Sequence, residues 1–133
     1  MNDLLHFWGN DLSVCATGDL SVASQTVTGE QRVLRRLLTN PEMVDDSGST
    51  QASGDCTFHP TYGAGLPRVV GNPVDVAGTT AVIVSQLGQE QAVASSPAPV
   101  IALNSFRDGM NAFIQYNDAN SKLPVILDFD VTK

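Results

Sequence analysis

The sequence predicts a small α+β domain in which two main helices pack on a C-terminal three-stranded antiparallel sheet, with short strands before the first helix. Three observations support this fold class: apolar residues at helical spacing before residue 40, a second helical pattern ending near residue 94, and three extended segments after residue 100. The chain has 133 residues, a length that suits one core. We therefore expect residues 1–133 to form a single domain.

The first helix is predicted to run from Thr28 to Thr39. Thr28 and Gln31, three residues apart, have the pattern of a capping box. Pro41 ends the helix because proline has no N–H and disfavours helical backbone at the residue before it. Four apolar residues in this segment recur at helical spacing and share one face: Val33, Leu34, Leu37 and Leu38.

Two further segments have simpler interpretations. Residues 4–20 alternate partially between apolar and polar side chains, with glycines at the breaks, and this pattern predicts short extended strands. Residues 42–57 are rich in Asp, Ser, Gly and Thr, and they bury too little apolar surface to offset the entropy lost on ordering. We expect that second segment to be a mobile surface loop.

Asn72 and Pro73 predict the start of a second helical region, with Asn as the cap and Pro in the first turn. The region extends to about Ala94, in one or two pieces because of Gly78. The run from Ala81 to Val84 is β-branched, but the leucine and glutamines that follow favour a helix with a wide apolar face.

The predicted sheet is a meander of Val100–Phe106, Ala112–Asn117 and Leu123–Val131, joined by turns at residues 107–109 and 118–121. The last strand is terminal in the sequence, so it is either an ordinary edge strand of its own sheet or a strand that is donated to a neighbouring chain. Alternation leaves one face of this strand mostly acidic. The opposite, apolar face carries the side chains of Val125, Leu127, Phe129 and Val131.

The composition excludes several function classes. The formal net charge of −7, from 14 acidic and 7 basic residues, argues against binding to nucleic acid, which needs clustered cations. No apolar run is long enough to span a bilayer, and the first residues lack the pattern of a secretory signal, so we expect synthesis in a cytoplasm. Cys15 and Cys56 are too far apart and too few to indicate a disulfide framework.

Candidate catalytic and metal-binding groups are sparse. Cys56 and His59 have C-x-x-H spacing, which can begin a zinc site or pair a thiol with a base. A structural zinc needs four ligands, and the chain has only two Cys and two His in total, at scattered positions. Carboxylate pairs suited to glycoside hydrolysis can be drawn in any acidic protein. We therefore assign no catalytic residue, metal or cofactor, and keep a thiol-dependent or lysozyme-like hydrolase as an alternative.

One further feature is a candidate contact with another protein, and a second is a turn that depends on glycine. Arg32, Arg35 and Arg36 cluster on the helix face opposite the leucines, where they are either solvated or bind carboxylates of a partner. Downstream, two glycines define a turn in which residues without Cβ allow positive φ or close backbone approach. That turn consists of Tyr62, Gly63, Ala64, Gly65 and Leu66.

The order of these motifs resembles one family. An arginine-rich helix ending in Leu37-Leu38-Thr39-Asn40-Pro41, followed by His59-Pro60-Thr61-Tyr62-Gly63-Ala64-Gly65-Leu66-Pro67, is similar to the baseplate W, or sheath-initiator, family of contractile phage tails and type VI secretion baseplates. Some members of that family carry a lysozyme-like label. The resemblance implies a structural protein of the virion, assembled in the host cytoplasm, and not an enzyme.

The resemblance also implies partners. Members of the family bind wedge and tube-proximal proteins, are arranged as six copies around the tube, and present a strand that starts the tail sheath. Here that strand would be Leu123–Val131, and strand addition would join it to sheath subunits. Removal of Leu123–Lys133 is then expected to leave a soluble fold that no longer starts a sheath. A soluble regulatory adaptor on the same fold is a further alternative.

Overall fold

The structure is a computed structural model that describes residues 3–6 and 12–133. Its C-terminal antiparallel sheet, with helices packed on one face, is the α+β arrangement that the sequence predicts. None of the described helices has the length and apolar character needed to cross a membrane. In chain order the elements are α1 (Gln25–Leu38), β1 (Met43–Val44), β2 (Thr50–Ala52), α2 (Leu66–Val69), α3 (Val76–Gly88), β3 (Val100–Phe106), β4 (Gly109–Asn117) and β5 (Pro124–Thr132).

One apolar core lies between the helices and the inner face of the sheet. Each large side chain buried there contributes roughly 1.5–3 kcal/mol of burial free energy, so this layer dominates the stability of the fold. Helix α1 contributes the face that its periodicity predicts, and α3 packs beside it. The largest fully buried side chains are Val33, Leu37, Leu66, Ile83, Leu87, Met110 and Ile114.

The sheet has the order β3-β4-β5, and both pairings are antiparallel. The predicted meander is therefore confirmed, and β3 has the predicted bounds. Strand β4 begins at Gly109, three residues earlier than predicted, because Phe106 pairs directly with Gly109 across a two-residue turn. Strand β5 pairs with β4 over its whole length, from Pro124 opposite Asn117 to Thr132 opposite Gly109.

The predicted start of α1 is wrong by three residues. The helix begins at Gln25, so Thr28 lies inside it and its hydroxyl donates to the carbonyl of Ala23 at 3.4 Å. Gln31 does not close a capping box. Its amide holds the N-terminal segment instead, accepting from the His6 N–H at 2.9 Å and donating to the Leu4 carbonyl at 3.0 Å. The helix ends at Leu38, close to the position that Pro41 predicts.

The second helical region also begins later than predicted. Asp75, not Asn72, is the N-cap of α3, and its carboxylate accepts from the Gly78 N–H at 3.0 Å. Gly78, the third residue of α3, is thus part of the cap and does not break the helix. The β-branched run from Ala81 to Val84 is helical, as predicted, but the helix ends at Gly88 instead of near Ala94.

Two peripheral segments surround this framework. Extended pieces of the N-terminal region pair through isolated bridges, Leu4 with Val22 and Val14 with Leu20. Among the described residues, these bridges do not extend into longer strands. The turn predicted at Gly9 lies outside the described residues. Residues 42–57 contain the β1–β2 hairpin, whose side chains are largely exposed. The mobility of this hairpin stays a prediction.

Candidate functional site

The two halves of the family-like motif pack against each other. The turn after residue 62 lies on the C-terminal end of α1, where the Ala64 N–H donates to the Arg36 carbonyl and the Gly65 N–H donates to the Thr39 carbonyl, both at 2.9 Å. The Arg68 guanidinium adds a bond to the Pro41 carbonyl at 2.6 Å. Backbone donors of the turn thus satisfy carbonyls that the helix end leaves open. Segments more than twenty residues apart in sequence form one unit.

Both motif glycines are required by this packing. Gly63 has φ of +116° and Gly65 has φ of +69°, in the region that favours glycine. A Cβ on Gly63 would overlap the carbonyl oxygen of Thr39, and a Cβ on Gly65 would lie 3.0 Å from the Pro41 ring. Leu66 follows with a fully buried side chain. These residues therefore build the scaffold and are not exposed to a partner.

Arg36 is bound within the molecule. Its Nε lies 3.2 Å from a Glu90 carboxylate oxygen and its Nη1 donates to the Gln86 side chain at 3.1 Å. The guanidinium also stacks 4.4 Å from the centre of the Tyr62 ring, a distance typical of a cation–π contact. Burial raises the pKa of the Tyr62 phenol, and the positive charge of Arg36 opposes that rise. Arg36 thus joins α1, the end of α3 and the motif turn.

The other two arginines face outward to different degrees. The Arg32 Nε lies 3.5 Å from the Asp3 carboxylate, and both side chains are partly exposed, so this pair contributes little stability. Arg35 is exposed and makes no side-chain hydrogen bond or ion pair with any residue that the structure describes. Of the three arginines that the sequence analysis grouped, Arg35 is the one most available to a partner.

The apolar side chains of β5 serve the protein's own core. Val125, Leu127 and Val131 are only 6–7% exposed, and Phe129 packs against the same cluster. Leu123 precedes the strand and is 65% exposed. A partner that binds β5 therefore meets its backbone edge and its outward side chains, not the apolar face that the alternation pattern singles out.

The backbone of β5 has a free outer edge within the described residues. The Asp118 N–H donates to Leu123 O at 2.9 Å, and the Lys133 N–H donates to Asp108 O at 3.2 Å, so odd-numbered residues of this strand bond to β4. The N–H and C=O groups of Ile126, Asp128 and Asp130 then point away from the sheet. They can pair with an added strand, and Pro124, which has no N–H, fits this parity.

The outward face of β5 carries a polar cluster that the sequence analysis identified only in part. Asn111 lies opposite Asp130, and its side-chain N–H₂ donates to Asp128 at 2.8 Å and to Asp130 at 2.9 Å. The two carboxylates are thus held side by side on the surface. Asn111 was missed because its role depends on cross-strand register, which residue spacing within one strand does not reveal. Glu90 was missed because it lies 54 residues from Arg36.

The hydrolase alternative gains no geometric support. The His59 N–H donates to the Cys56 carbonyl at 3.3 Å. No hydrogen bond between the Cys56 thiol and the His59 imidazole is found among the described residues. Among the described residues, no three side chains of His, Cys, Asp or Glu are grouped so as to hold a metal ion. Both cysteines are free thiols.

Comparison with protein-family models, with curated proteins and with solved structures gave no match for this chain. The resemblance to the baseplate W family therefore rests on the residues of the motif itself. To those residues the structure adds two physical facts: the motif halves form one packed unit, and the last strand has an open edge. The packed motif is scaffold, whereas the open edge is a surface that the chain offers to other proteins.

Proposed function

We propose that this protein is a structural component of a contractile-tail baseplate, where it starts sheath assembly by strand addition at β5. The observation that carries the proposal is the open outer edge of β5, on a domain whose helix-end and turn motif resembles the sheath-initiator family. The implied location is the virion, with six copies around the tube. The partners are the tail sheath protein and the wedge and tube-proximal proteins.

The burial of β5 favours one direction of strand addition over the other. Donating β5 to another subunit would remove Val125, Leu127 and Val131 from the core and expose them. Accepting a strand costs the core nothing, because only solvated N–H and C=O groups of the edge change partners. The protein therefore acts as an acceptor template, and the incoming strand belongs to the sheath subunit.

The helical body provides a separate surface for the baseplate. Arg35 lies near the N-terminal segment, beside a shallow cavity of about 390 Å³ that is also lined by Leu4, His6 and Leu12. An exposed guanidinium is suited to bidentate pairing with a carboxylate of a wedge protein. Arg36 is excluded from this role by its internal partners.

A proline substitution at the open edge tests strand addition. Asp128→Pro removes one outward N–H, a change that an edge strand tolerates, while Asp128→Ala removes the same side chain and keeps the N–H. Contractile-tailed particles would be assembled with each variant in place of the unmodified protein, and they would be viewed by negative-stain electron microscopy. We expect tubes without sheath for Asp128→Pro and full-length sheaths for Asp128→Ala.

Two controls separate this result from misfolding or from general edge damage. The β3–β4 register points the Ser105 N–H away from β4, at the opposite edge of the sheet. Ser105→Pro removes this N–H and should leave the sheath intact. Mass spectrometry of purified baseplates should find every variant incorporated. Full-length sheaths on Asp128→Pro particles would refute strand addition at β5. A one-to-one complex with a cytoplasmic protein, and no incorporation into particles, would favour the adaptor alternative.

A further inference from the structure

The outer face of the C-terminal sheet is open to solvent although much of it is apolar. Helices cover only the inner face, and the described elements place nothing over the outer one. Val100 is 59% exposed, Ile126 is 58% exposed and Phe106 is 46% exposed. We define the outer sheet face by the outward side chains of Val100, Ala102, Asn104, Phe106, Asn111, Phe113, Gln115, Ile126, Asp128 and Asp130.

The chemistry of this face is arranged in two parallel strips. The strand register places Val100, Ala102, Asn104 and Phe106 along β3, with Phe113 opposite Ala102 on β4. This gives a mostly apolar strip that Asn104 interrupts. Asp128 and Asp130 lie along β5 at the edge of that strip. A face that is apolar on one side and acidic on the other is complementary, in polarity and in charge, to an amphipathic segment with a basic flank.

The carboxylates at this edge have no cation of their own. Asn111 holds both through one amide group, and each accepts that bond through a single oxygen, Oδ1. No Lys or Arg in the described residues pairs with either. Two like charges fixed next to each other repel, so a cation that binds both lowers the free energy of the face more than it would at an isolated aspartate.

We propose that the outer sheet face binds one amphipathic helix of a partner protein, with apolar residues on β3 and β4 and Lys or Arg opposite Asp128 and Asp130. Three strands about 4.8 Å apart span roughly 10 Å between the outer strand axes, and a helix about 10–12 Å in diameter covers that width. A second copy of this chain fits poorly, because it carries a net charge of −7 and would bring its own acids. This inference is independent of strand addition, which uses the edge of the sheet.

A designed peptide pair tests the inference on the isolated full chain. The probe is a 16-residue Ala/Leu helix with three lysines along one flank, and its counterpart carries glutamates at those positions. Binding would be followed by ¹H–¹⁵N NMR spectra and by titration calorimetry. We expect the lysine peptide to shift resonances of β3, β4 and β5 outward residues, and the glutamate peptide to shift none.

Matched variants then separate specific docking from attraction to an acidic protein. Asp128→Asn combined with Asp130→Asn should lower the affinity for the lysine peptide about fivefold or more, as expected for the loss of two exposed ion pairs. Asp19→Asn combined with Asp46→Asn removes the same charge elsewhere and should leave that affinity unchanged. Val100→Ser should weaken binding by a similar factor through lost apolar contact. Val44→Ser, at a valine that is also 59% exposed, should have no effect.

Three outcomes would overturn the inference. Equal weakening by both aspartate pairs would mean that net charge alone attracts the peptide. Shifts centred on another surface would place the helix elsewhere. Concentration-dependent dimers that shift the same resonances without peptide would make a second copy of the chain the occupant. Circular dichroism of each variant should match the unmodified protein, so that a loss of binding is not a loss of fold.

Discussion

At the scale of single residues, Arg36 shows how a charge that looks available in the sequence is used inside the molecule. Its side chain is 13% exposed and that of Glu90 is 9% exposed, so each charge depends on the other for compensation. Removing one partner of a buried pair leaves the other charge unpaired, which costs about 3–5 kcal/mol. The stacking on Tyr62 adds a contact that a lysine cannot reproduce with the same geometry.

We therefore predict that Arg36→Met lowers the free energy of unfolding by about 3 kcal/mol, measured by urea denaturation. Arg35→Met should change it by less than about 0.5 kcal/mol, because the side chain is exposed. Combining Arg36→Met with Glu90→Gln should recover part of the loss, since no charge is then left unpaired. Equal losses for Arg35 and Arg36 would contradict the internal role of Arg36.

Gly63 offers a second residue-scale test. Gly63→Ala puts a Cβ into the Thr39 carbonyl and forces a positive φ, and we expect a loss of at least about 2 kcal/mol. Gly48→Ala is the matched control, because Gly48 also has positive φ, +82°, but nothing lies within 4 Å of its added Cβ. If both substitutions cost the same in urea denaturation, close packing is not the reason for glycine at position 63.

At the scale of secondary-structure elements, local patterns predicted most of the fold. The helical spacing of Val33 and Leu37 identified α1, and the alternation of Val125 and Leu127 identified β5, because each pattern reports directly which side of an element is buried. Long-range partners were not predictable. Gln31 looked like part of a capping box, but its side chain bonds to the backbone of Leu4 and His6, which lie outside the spacing pattern. The same holds for the cross-strand partners of Asn111.

The β1–β2 hairpin is an element that the core does not need. Its turn is built locally, with the Asp45 carboxylate accepting from the Ser47 and Ser49 N–H groups, both at 2.9 Å. We predict that replacing residues 44–51 by Asn-Gly, a two-residue hairpin turn, changes the free energy of unfolding by less than about 1 kcal/mol. A loss above about 2 kcal/mol in urea denaturation would show that the hairpin supports the motif turn behind it.

At the scale of the whole molecule, the partly buried Glu30 makes stability depend on pH. Burial raises the pKa of its carboxyl group in the folded state, so the folded protein holds that proton more tightly than the unfolded chain. The associated stability is present at low pH and is lost as the pH rises through the folded-state pKa. Ionised Glu30 therefore weakens the fold at neutral pH.

We accordingly predict that Glu30→Gln unfolds at higher urea concentration than the unmodified protein at pH 7, and that the difference shrinks toward pH 4. Asp46→Asn, at an exposed position, should follow the unmodified protein at both pH values. The opposite trend, with the largest gain from Glu30→Gln at pH 4, would mean that ionised Glu30 is stabilised by the fold.

The role of β5 in the core decides how the whole molecule responds to truncation. Sequence alone suggests that a chain without Leu123–Lys133 stays folded. The burial of β5 argues otherwise, because the deletion removes the core side chains of Val125, Leu127 and Val131. Their burial contributes roughly 5–9 kcal/mol together. The total stability of a domain is about 5–15 kcal/mol. It also turns β4 into an exposed edge with an apolar inner face.

We predict that this truncated chain loses cooperative thermal unfolding in circular dichroism and elutes as aggregates in size-exclusion chromatography. Asp128→Pro, which changes the same strand only at its outward N–H, should keep a cooperative transition. A folded, monomeric truncated chain would mean that β5 is separable from the core. It would then restore strand donation, instead of strand acceptance, as the way in which this strand meets another subunit.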